Sequence, residues 1–308
     1  MKEYLKKIVP ASVWASIRKS LIVKDQRRVA KLCDSYIEEY YSGACGQYQW
    51  RRKKDLGGKK IIWQYWAQGF DSEDLPQIVQ DCLASVDKYK GDCEVIRLSD
   101  ETISEYVDLP QIILERKKTY TTTSFSNVLR LALLYLYGGC WLDSTVYLTG
   151  PIDDRYFTYE FFMFQRDPSE ENKRYWEGTY AFYFGWDKSF RVRVLTSIAF
   201  SRPESLFTRD YLNLLILVWE KNPVYPFYFT FQVLFNQLLA SGKNNPRCPI
   251  ESDCAPHILM QIINDPAAPF IVKEALDRCN MHKLSFKNME YARFLAVIKE
   301  ANECFSIN

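Results

Sequence analysis

Apolar positions along this chain fall into blocks whose spacing changes from segment to segment. Over residues 1–32, Leu5, Ile8, Val9, Val13, Trp14, Ile17, Leu21 and Ile22 are interleaved with Lys and Arg, and Pro10 divides the stretch. Helical spacing places Val13, Trp14, Ile17 and Leu21 on one stripe. This segment has two readings: a basic amphipathic helix lying on a membrane surface, or a helix packed on the body with its charged face in water. Ser42 to Lys60 is rich in Gly, Gln and charge and predicts an exposed connection. Ile61 to Trp66 is a short apolar and aromatic run suited to a buried strand. Leu75 to Tyr89 has helical spacing with Pro76 near its start, and Cys93 to Leu98 reads as a second strand. Ser99, supported by Thr102 and Glu105, is expected to open another helix. Strand, helix and strand in succession begin a parallel α/β sheet.

Thr122 to Tyr137 is a strongly apolar helix stopped by Gly138-Gly139, and Cys140-Trp141-Leu142-Asp143 follows as a buried strand ending in a carboxylate. Further strands are expected at Phe161–Gln165, Ala181–Gly185 and Ser197–Phe200. After Ser205 the pattern turns helical, at 205–221, 229–240, 271–279 and 289–300. The expected division is a basic helical extension (1–58), an α/β core (59–204) and a mainly helical closing region (205–308).

Composition sharpens this picture in three places. Aromatic residues make up 16% of the 308 residues, which suits either a well-filled core or a ring-lined binding groove. The net charge of +2 argues against nucleic acid as a partner, but the charge is uneven. Residues 1–31 carry Lys2, Lys6, Lys7, Arg18, Lys19, Lys24, Arg27, Arg28 and Lys31 against Glu3 and Asp25, a basic arm on a mildly acidic body. The 9 cysteines form no Cys-x-x-Cys and only 2 histidines are present, so a structural zinc site lacks its usual ligands. No stretch has the apolar length of a signal peptide or a spanning helix, and the expectation is a reduced, cytoplasmic protein.

The candidate chemistry gathers around Asp143. Asn127 and Arg130 are three apart and share a helix face otherwise built from Leu, Ala and Tyr, where a guanidinium must find a partner or a ligand. The two glycines permit a tight turn. Asp143 then stands at the carboxyl end of a strand, where open α/β sheets bind ligands. A hard carboxylate there suits Mg2+ or Mn2+ bridging a diphosphate.

Ser126, Asn127, Arg130, Leu134, Tyr135, Gly138, Gly139, Trp141, Asp143, Thr145, Gly150 and Pro151 together make a pattern that resembles the capsular polysaccharide synthesis glycosyltransferases, relatives of glycosyltransferase family 32. Two outlying segments match as well: Ile61 to Gly69, like the family's first strand, and His282 to Lys287, like its closing His-Lys-Leu-Thr-Tyr-Lys. The resemblance spans roughly residues 59–287. It implies a GT-A (Rossmann-like) fold, here with added N- and C-terminal helices. It also implies a nucleotide-sugar donor such as UDP-galactose or UDP-glucose, Mn2+ or Mg2+, a retained anomeric configuration, and a lipid-linked saccharide acceptor at the inner face of the cell membrane. The basic residues 1–32 would then be the contact with that anionic surface.

Carried over residue by residue, Asp143 ligates the metal, with Thr145 standing where relatives have a second carboxylate. His282 is the third expected metal ligand, and with Lys283 it closes over the diphosphate, assisted by Lys287. Arg130 binds donor hydroxyls or phosphate, and Asn127, in place of the commoner Asp, contacts a sugar hydroxyl. Gln64 and Trp66 face the nucleotide base, and Ser144 belongs to the same donor-binding set. Two other functions compete: a sugar-phosphate transferase on a similar sheet, and a catalytically silent binding protein. A Rossmann dehydrogenase is disfavoured because no Gly-x-Gly-x-x-Gly follows a strand.

Overall fold

A computed structural model describes residues 11–287 and 289–306. The elements run α1 (Ala11–Tyr41), β1 (Ile61–Tyr65), α2 (Gln77–Tyr89), β2 (Glu94–Leu98), α3 (Gln111–Arg116), α4 (Thr122–Tyr137), β3 (Gly139–Leu142), β4 (Val146–Leu148), α5 (Arg155–Thr158), β5 (Phe161–Gln165), α6 (Lys173–Thr179), β6 (Val194–Ser201), α7 (Leu206–Lys221), α8 (Thr230–Ala240), α9 (Ile258–Asn264), α10 (Val272–Arg278), β7 (Met281–Lys283) and α11 (Tyr291–Ser306). Five strands form the main sheet in the order β2-β1-β3-β6-β5. β1 pairs in parallel with both β2 and β3, and β6 is antiparallel to both β3 and β5. The result is a mixed α/β sheet of GT-A-like design. The neighbour relation reverses at β1, which lies between β2 and β3, so the crevice above the carboxyl ends of β1 and β3 is the switch point where such sheets bind ligands.

The period of two along each strand sorts side chains between two buried layers. Ile61, Trp63, Tyr65, Trp141, Phe161, Met163 and Ala199 face the larger core with α4, α7 and α8, while Ile62, Cys140, Leu142, Phe162, Phe164, Ile198 and Phe200 face the other side. The larger core takes residues from α1 through α11, so the three sequence segments share one interior.

Local chemistry accounts for the central helix and its stop. Thr121 caps α4 by accepting the Ser124 amide at 3.1 Å, filling one of the orphan positions of the first turn. At the other end Gly138 has φ +71° and its amide donates to Leu134 at 2.9 Å, a left-handed termination. Gly139 follows with φ +94°, and a Cβ there would run into the Ile61 carbonyl. Glycine is therefore required twice, once for its dihedral and once for the close approach of β1. Trp63 locks the turn by donating its indole N–H to the Gly138 carbonyl at 2.9 Å.

Three sequence expectations are corrected. Ala181–Gly185 is not a strand. The buried Arg166 draws its carbonyls inward, donating at 3.0 Å to both Tyr183 and Gly185, while its guanidinium pairs bidentately with the buried Asp253 at 2.9 Å. The ladder partners of a strand are thereby replaced by one side chain. Ser99 opens only a 3-10 turn at Ile103–Glu105, its amide donating to the Thr102 hydroxyl at 2.9 Å and its own hydroxyl accepting the Glu101 amide at 3.3 Å.

The third correction concerns the basic segment. Residues 1–10 and the side chains of Val13 and Trp14 lie outside the described residues. From Ile22 onward the helix is docked, burying Ile22, Val29, Ala30, Cys33, Tyr36, Ile37 and Tyr40. Gln26, fully buried, accepts the Arg191 amide at 2.6 Å. The packed-helix reading therefore holds for the apolar face of residues 22–32, while Lys24, Arg27, Arg28 and Lys31 are exposed on the outer face. Ile17 and Leu21 remain 41% and 55% exposed.

Candidate functional site

Asp143 follows β3 directly, its amide donating to the Ser197 carbonyl of β6 at 2.8 Å. Two residues earlier on the same strand face, Trp141 donates its indole N–H to Asp143 Oδ1 at 2.8 Å. Arg130, reaching across from α4, donates to the same oxygen at 3.0 Å and to Asn127 Oδ1 at 2.6 Å. Its guanidinium lies 4.9 Å from the Trp141 ring centroid. The Arg130 side chain is 2% exposed, against 29% for Asp143. Burial lowers the guanidinium pKa and Asp143 opposes that shift; an Arg stays charged through it. Arg130 and Asn127 thus stand behind Asp143, inside the protein. The expected donor contact of these two side chains is not what this structure places at the crevice: both are buried, and the partly exposed group of the cluster is Asp143.

The other side of Asp143 is supplied by a distant part of the chain. β7 pairs antiparallel with β4 in the register Val146↔Lys283, Tyr147↔His282, Leu148↔Met281. The Leu284 amide then donates to the Thr145 carbonyl at 2.9 Å. This ladder carries Lys283 Nζ to 3.5 Å from Asp143 Oδ2 and into a hydrogen bond with the Thr145 hydroxyl. Burial alone would raise the Asp143 pKa, but the Lys283 and Arg130 charges outweigh it, with help from the Trp141 hydrogen bond, and hold the carboxyl well below the usual range.

Strand alternation separates His282 from its neighbour. Where Lys283 turns toward Asp143, His282 leaves the opposite face, fully buried, with Nε2 at 3.0 Å from the Thr149 hydroxyl and Nδ1 without a protein partner. Burial depresses its pKa to about 3, so the ring is neutral. His282 is therefore neither a partner of Asp143 nor a cation near it, which corrects both of its expected roles. Ser144 is likewise structural: buried, its hydroxyl donates to the Tyr65 carbonyl at 3.0 Å and ties the ends of β1 and β3 together.

Gln64 sits within β1, not beyond it, with no exposed surface, and its Oε1 accepts from Arg97 at 3.1 Å. It cannot face a base. Trp66 does lie at the crevice, half-buried, with the partly exposed Phe286 ring edge-on at 5.6 Å. Lys287 is exposed, 5.7 Å from the Phe286 centroid. On the β2 side is a depression of about 190 Å³ lined in part by Asp100, Ile103, Lys117 and Phe125. Asp100 accepts from the Tyr65 hydroxyl at 2.6 Å and pairs with Lys117 at 2.5 Å. The sequence pattern gave no role to Tyr65, Asp100, Lys117 or Phe286, although Tyr65 and Phe286 lie within the two outlying segments that match the family.

The side chains around Asp143 do not fit the expected divalent ion. Asp143 Oδ1 already accepts two hydrogen bonds, Oδ2 faces an ammonium, Thr145 is held by that same ammonium, and His282 points elsewhere. Among the described residues, no group of three His, Cys, Asp or Glu is placed to hold a metal. A divalent ion placed about 4 Å from an ammonium is repelled by about 8 kcal/mol at an effective dielectric constant near 20.

A GT-A-like sheet with a charged, ring-edged crevice at its switch point places this chain among the open α/β proteins that bind ligands at the carboxyl ends of their strands. Within that class, the chain belongs to the family described as capsular polysaccharide synthesis protein, whose model matches residues 14–294. It is 30% identical over 112 residues to the O-glycosyltransferase PaGT of Phomopsis amygdali, a match covering 33% of this chain and 27% of that protein. The chain thus spans well under half the length of that curated relative. A solved PaToxG glycosyltransferase superposes with a TM-score of 0.40 at 12% identity, covering 74% of this chain and 80% of the other. This chain is thus a member of a capsule-synthesis family whose curated relative is named a glycosyltransferase.

Proposed function

We propose that this protein transfers a hexose, with retention of configuration, from UDP-glucose or UDP-galactose to a lipid-linked saccharide during capsular polysaccharide assembly. The observation that carries the reading is Asp143, pinned at the switch-point crevice between buried Arg130 and partly exposed Lys283. In the reaction the bond from anomeric carbon to phosphate oxygen breaks, the acceptor hydroxyl oxygen bonds to that carbon, and its proton passes to the departing phosphate. Charge accumulates on the diphosphate, and a preorganised cation there stabilises the transition state. Lys283 supplies that cation, Asp143 and Thr145 orient it, and the Trp66–Phe286 pair offers ring faces to the base.

The test is UDP release from UDP-glucose and UDP-galactose by the full chain, with and without a saccharide acceptor. Asp143→Asn is expected to fold normally and lose at least ~100-fold in turnover. Release of UMP instead of UDP, or an Asp143→Asn enzyme of normal rate, would sink the reading.

The membrane part of the proposal rests on a smaller surface than residues 1–32. Ile17 and Leu21 are exposed on α1 alongside Lys19 and Lys24, and Arg18 lies 5.1 Å from the Phe182 ring centroid. Apolar and basic side chains together suit an anionic lipid interface. The double variant Ile17→Asp, Leu21→Asp is expected to sediment less with anionic vesicles while hydrolysing UDP-glucose at the normal rate. Unchanged sedimentation would move the lipid contact elsewhere.

A further inference from the structure

We infer that Lys283 takes the place of a divalent metal at the donor diphosphate, so that nucleotide binding and leaving-group neutralisation in this protein need no metal ion. The inference rests on the nucleotide-sugar reading above and specifies how its site works. Position 145, two residues beyond Asp143, carries a hydroxyl and not a second carboxylate, and the Lys283 ammonium bridges the two side chains. An ammonium has three N–H donors. Thr145 takes one, Asp143 Oδ2 at 3.5 Å attracts a second, and a third is left for a phosphate oxygen.

The backbone holds the ammonium in place from both sides. Lys283 is itself a ladder residue opposite Val146, and the next amide bonds to Thr145. Its side chain is 23% exposed, so its head reaches solvent while most of the chain is covered.

Charge counting points the same way. Arg130 and Lys283 against the lone Asp143 leave the cluster at +1, because position 127 is a neutral Asn hydrogen-bonded to Arg130. The neutral His282 contributes nothing. A net positive cluster with one partly exposed cation attracts a diphosphate directly, whereas a divalent cation would meet the ammonium before it met a second carboxylate.

The experiment is calorimetric titration of the full chain with UDP, GDP and dTDP, first in EDTA and then in Mn2+, with uridine as the control lacking phosphate. At least one diphosphate is expected to bind in EDTA, within about 3-fold of its affinity in Mn2+, and far tighter than uridine. Lys283→Met is expected to lose at least ~10-fold in affinity in EDTA while its unfolding midpoint stays close to that of the parent. Thr145→Asp, which supplies the second carboxylate and a competitor for the ammonium, is expected to weaken binding in EDTA and to make it rise with Mn2+. Binding that requires Mn2+ in the parent chain, or a well-folded Lys283→Met chain that binds as tightly as the parent, overturns the inference and leaves the transferase reading standing. If no diphosphate binds in either condition and no UDP-sugar is hydrolysed, the transferase reading falls and this inference with it.

Discussion

At the scale of single residues, the site is a chain of dependencies and not a set of independent ligands. Arg130 is buried, donates to Asn127 and Asp143, and packs on Trp141. Removing its fork leaves a largely enclosed carboxylate short of a partner, and breaking such a pair typically costs about 3–5 kcal/mol. Arg130→Lys cannot span both acceptors in the guanidinium geometry. We expect it to lower the denaturation midpoint and the turnover together, as measured by urea unfolding and UDP release; a stable variant with only raised KM would mean that Arg130 reaches the donor after all. Asn127→Asp tests the charge of the cluster. It keeps an acceptor for Arg130 but cancels the local +1, so the fold and kcat should persist while KM for the UDP-sugar rises several-fold. A lowered KM would contradict that assignment of charge.

At the scale of elements, the α4–Gly138-Gly139–β3 unit aims Asp143, and its accuracy depends on a turn that only glycine can make. Gly139→Ala places a methyl against the Ile61 carbonyl at φ +94°. Strain of this kind costs about 1–3 kcal/mol before the clash is relieved, so a loss of at least ~2 kcal/mol in urea unfolding is expected. A stability change below ~0.5 kcal/mol would show that β1 can move aside. The β4–β7 ladder is the complementary element, since it is what carries Lys283 to a carboxylate far away in sequence. Its short length is offset by the Thr149–Asn280 backbone bond at 3.0 Å and by the Asn280 side chain donating to the Pro151 carbonyl.

At the scale of the whole molecule, both histidines are buried and held neutral, His257 with its pKa lowered to about 4 and His282 to about 3, in each case mainly by burial. A folded pKa below the unfolded value near 6.5 means that the stabilising contribution is present above about pH 6.5 and is lost as pH falls toward 4 and then 3. The Asp143 carboxyl, held low by Lys283 and Arg130, adds a loss of the same sign below about pH 4. The thermal midpoint is therefore expected to be flat from about pH 7 to 8 and to fall through the acid range, with His282→Gln flattening part of the slope. An acid limb unchanged in that variant would assign the pH dependence to His257 and the carboxylates. The same scale decides what can be removed: truncation past Ile22 takes away core residues and is expected to unfold the chain, whereas changes at Ile17 and Leu21 leave the core untouched.

The features legible from sequence lie within short windows. The bounds of α4, the two-glycine stop, the strand ending at Asp143, and the helices near 205–221 and 229–240 follow from periodicity, capping and sterics, which act between residues a few positions apart. Tertiary structure alone decided what Asp143 meets. Lys283 lies 138 positions beyond the Thr145 hydroxyl that it grips, and its approach depends on the register of β4 with β7. A slip of one residue would have exchanged it for His282, since neighbours on a strand face opposite ways. The direction in which Arg130 points, the burial of Gln64 and Ser144, and the collapse of 181–185 around Arg166 were equally beyond sequence reach. In each case a polar group found its partner across the core, and which partner lies within hydrogen-bonding distance is settled by packing, not by local pattern.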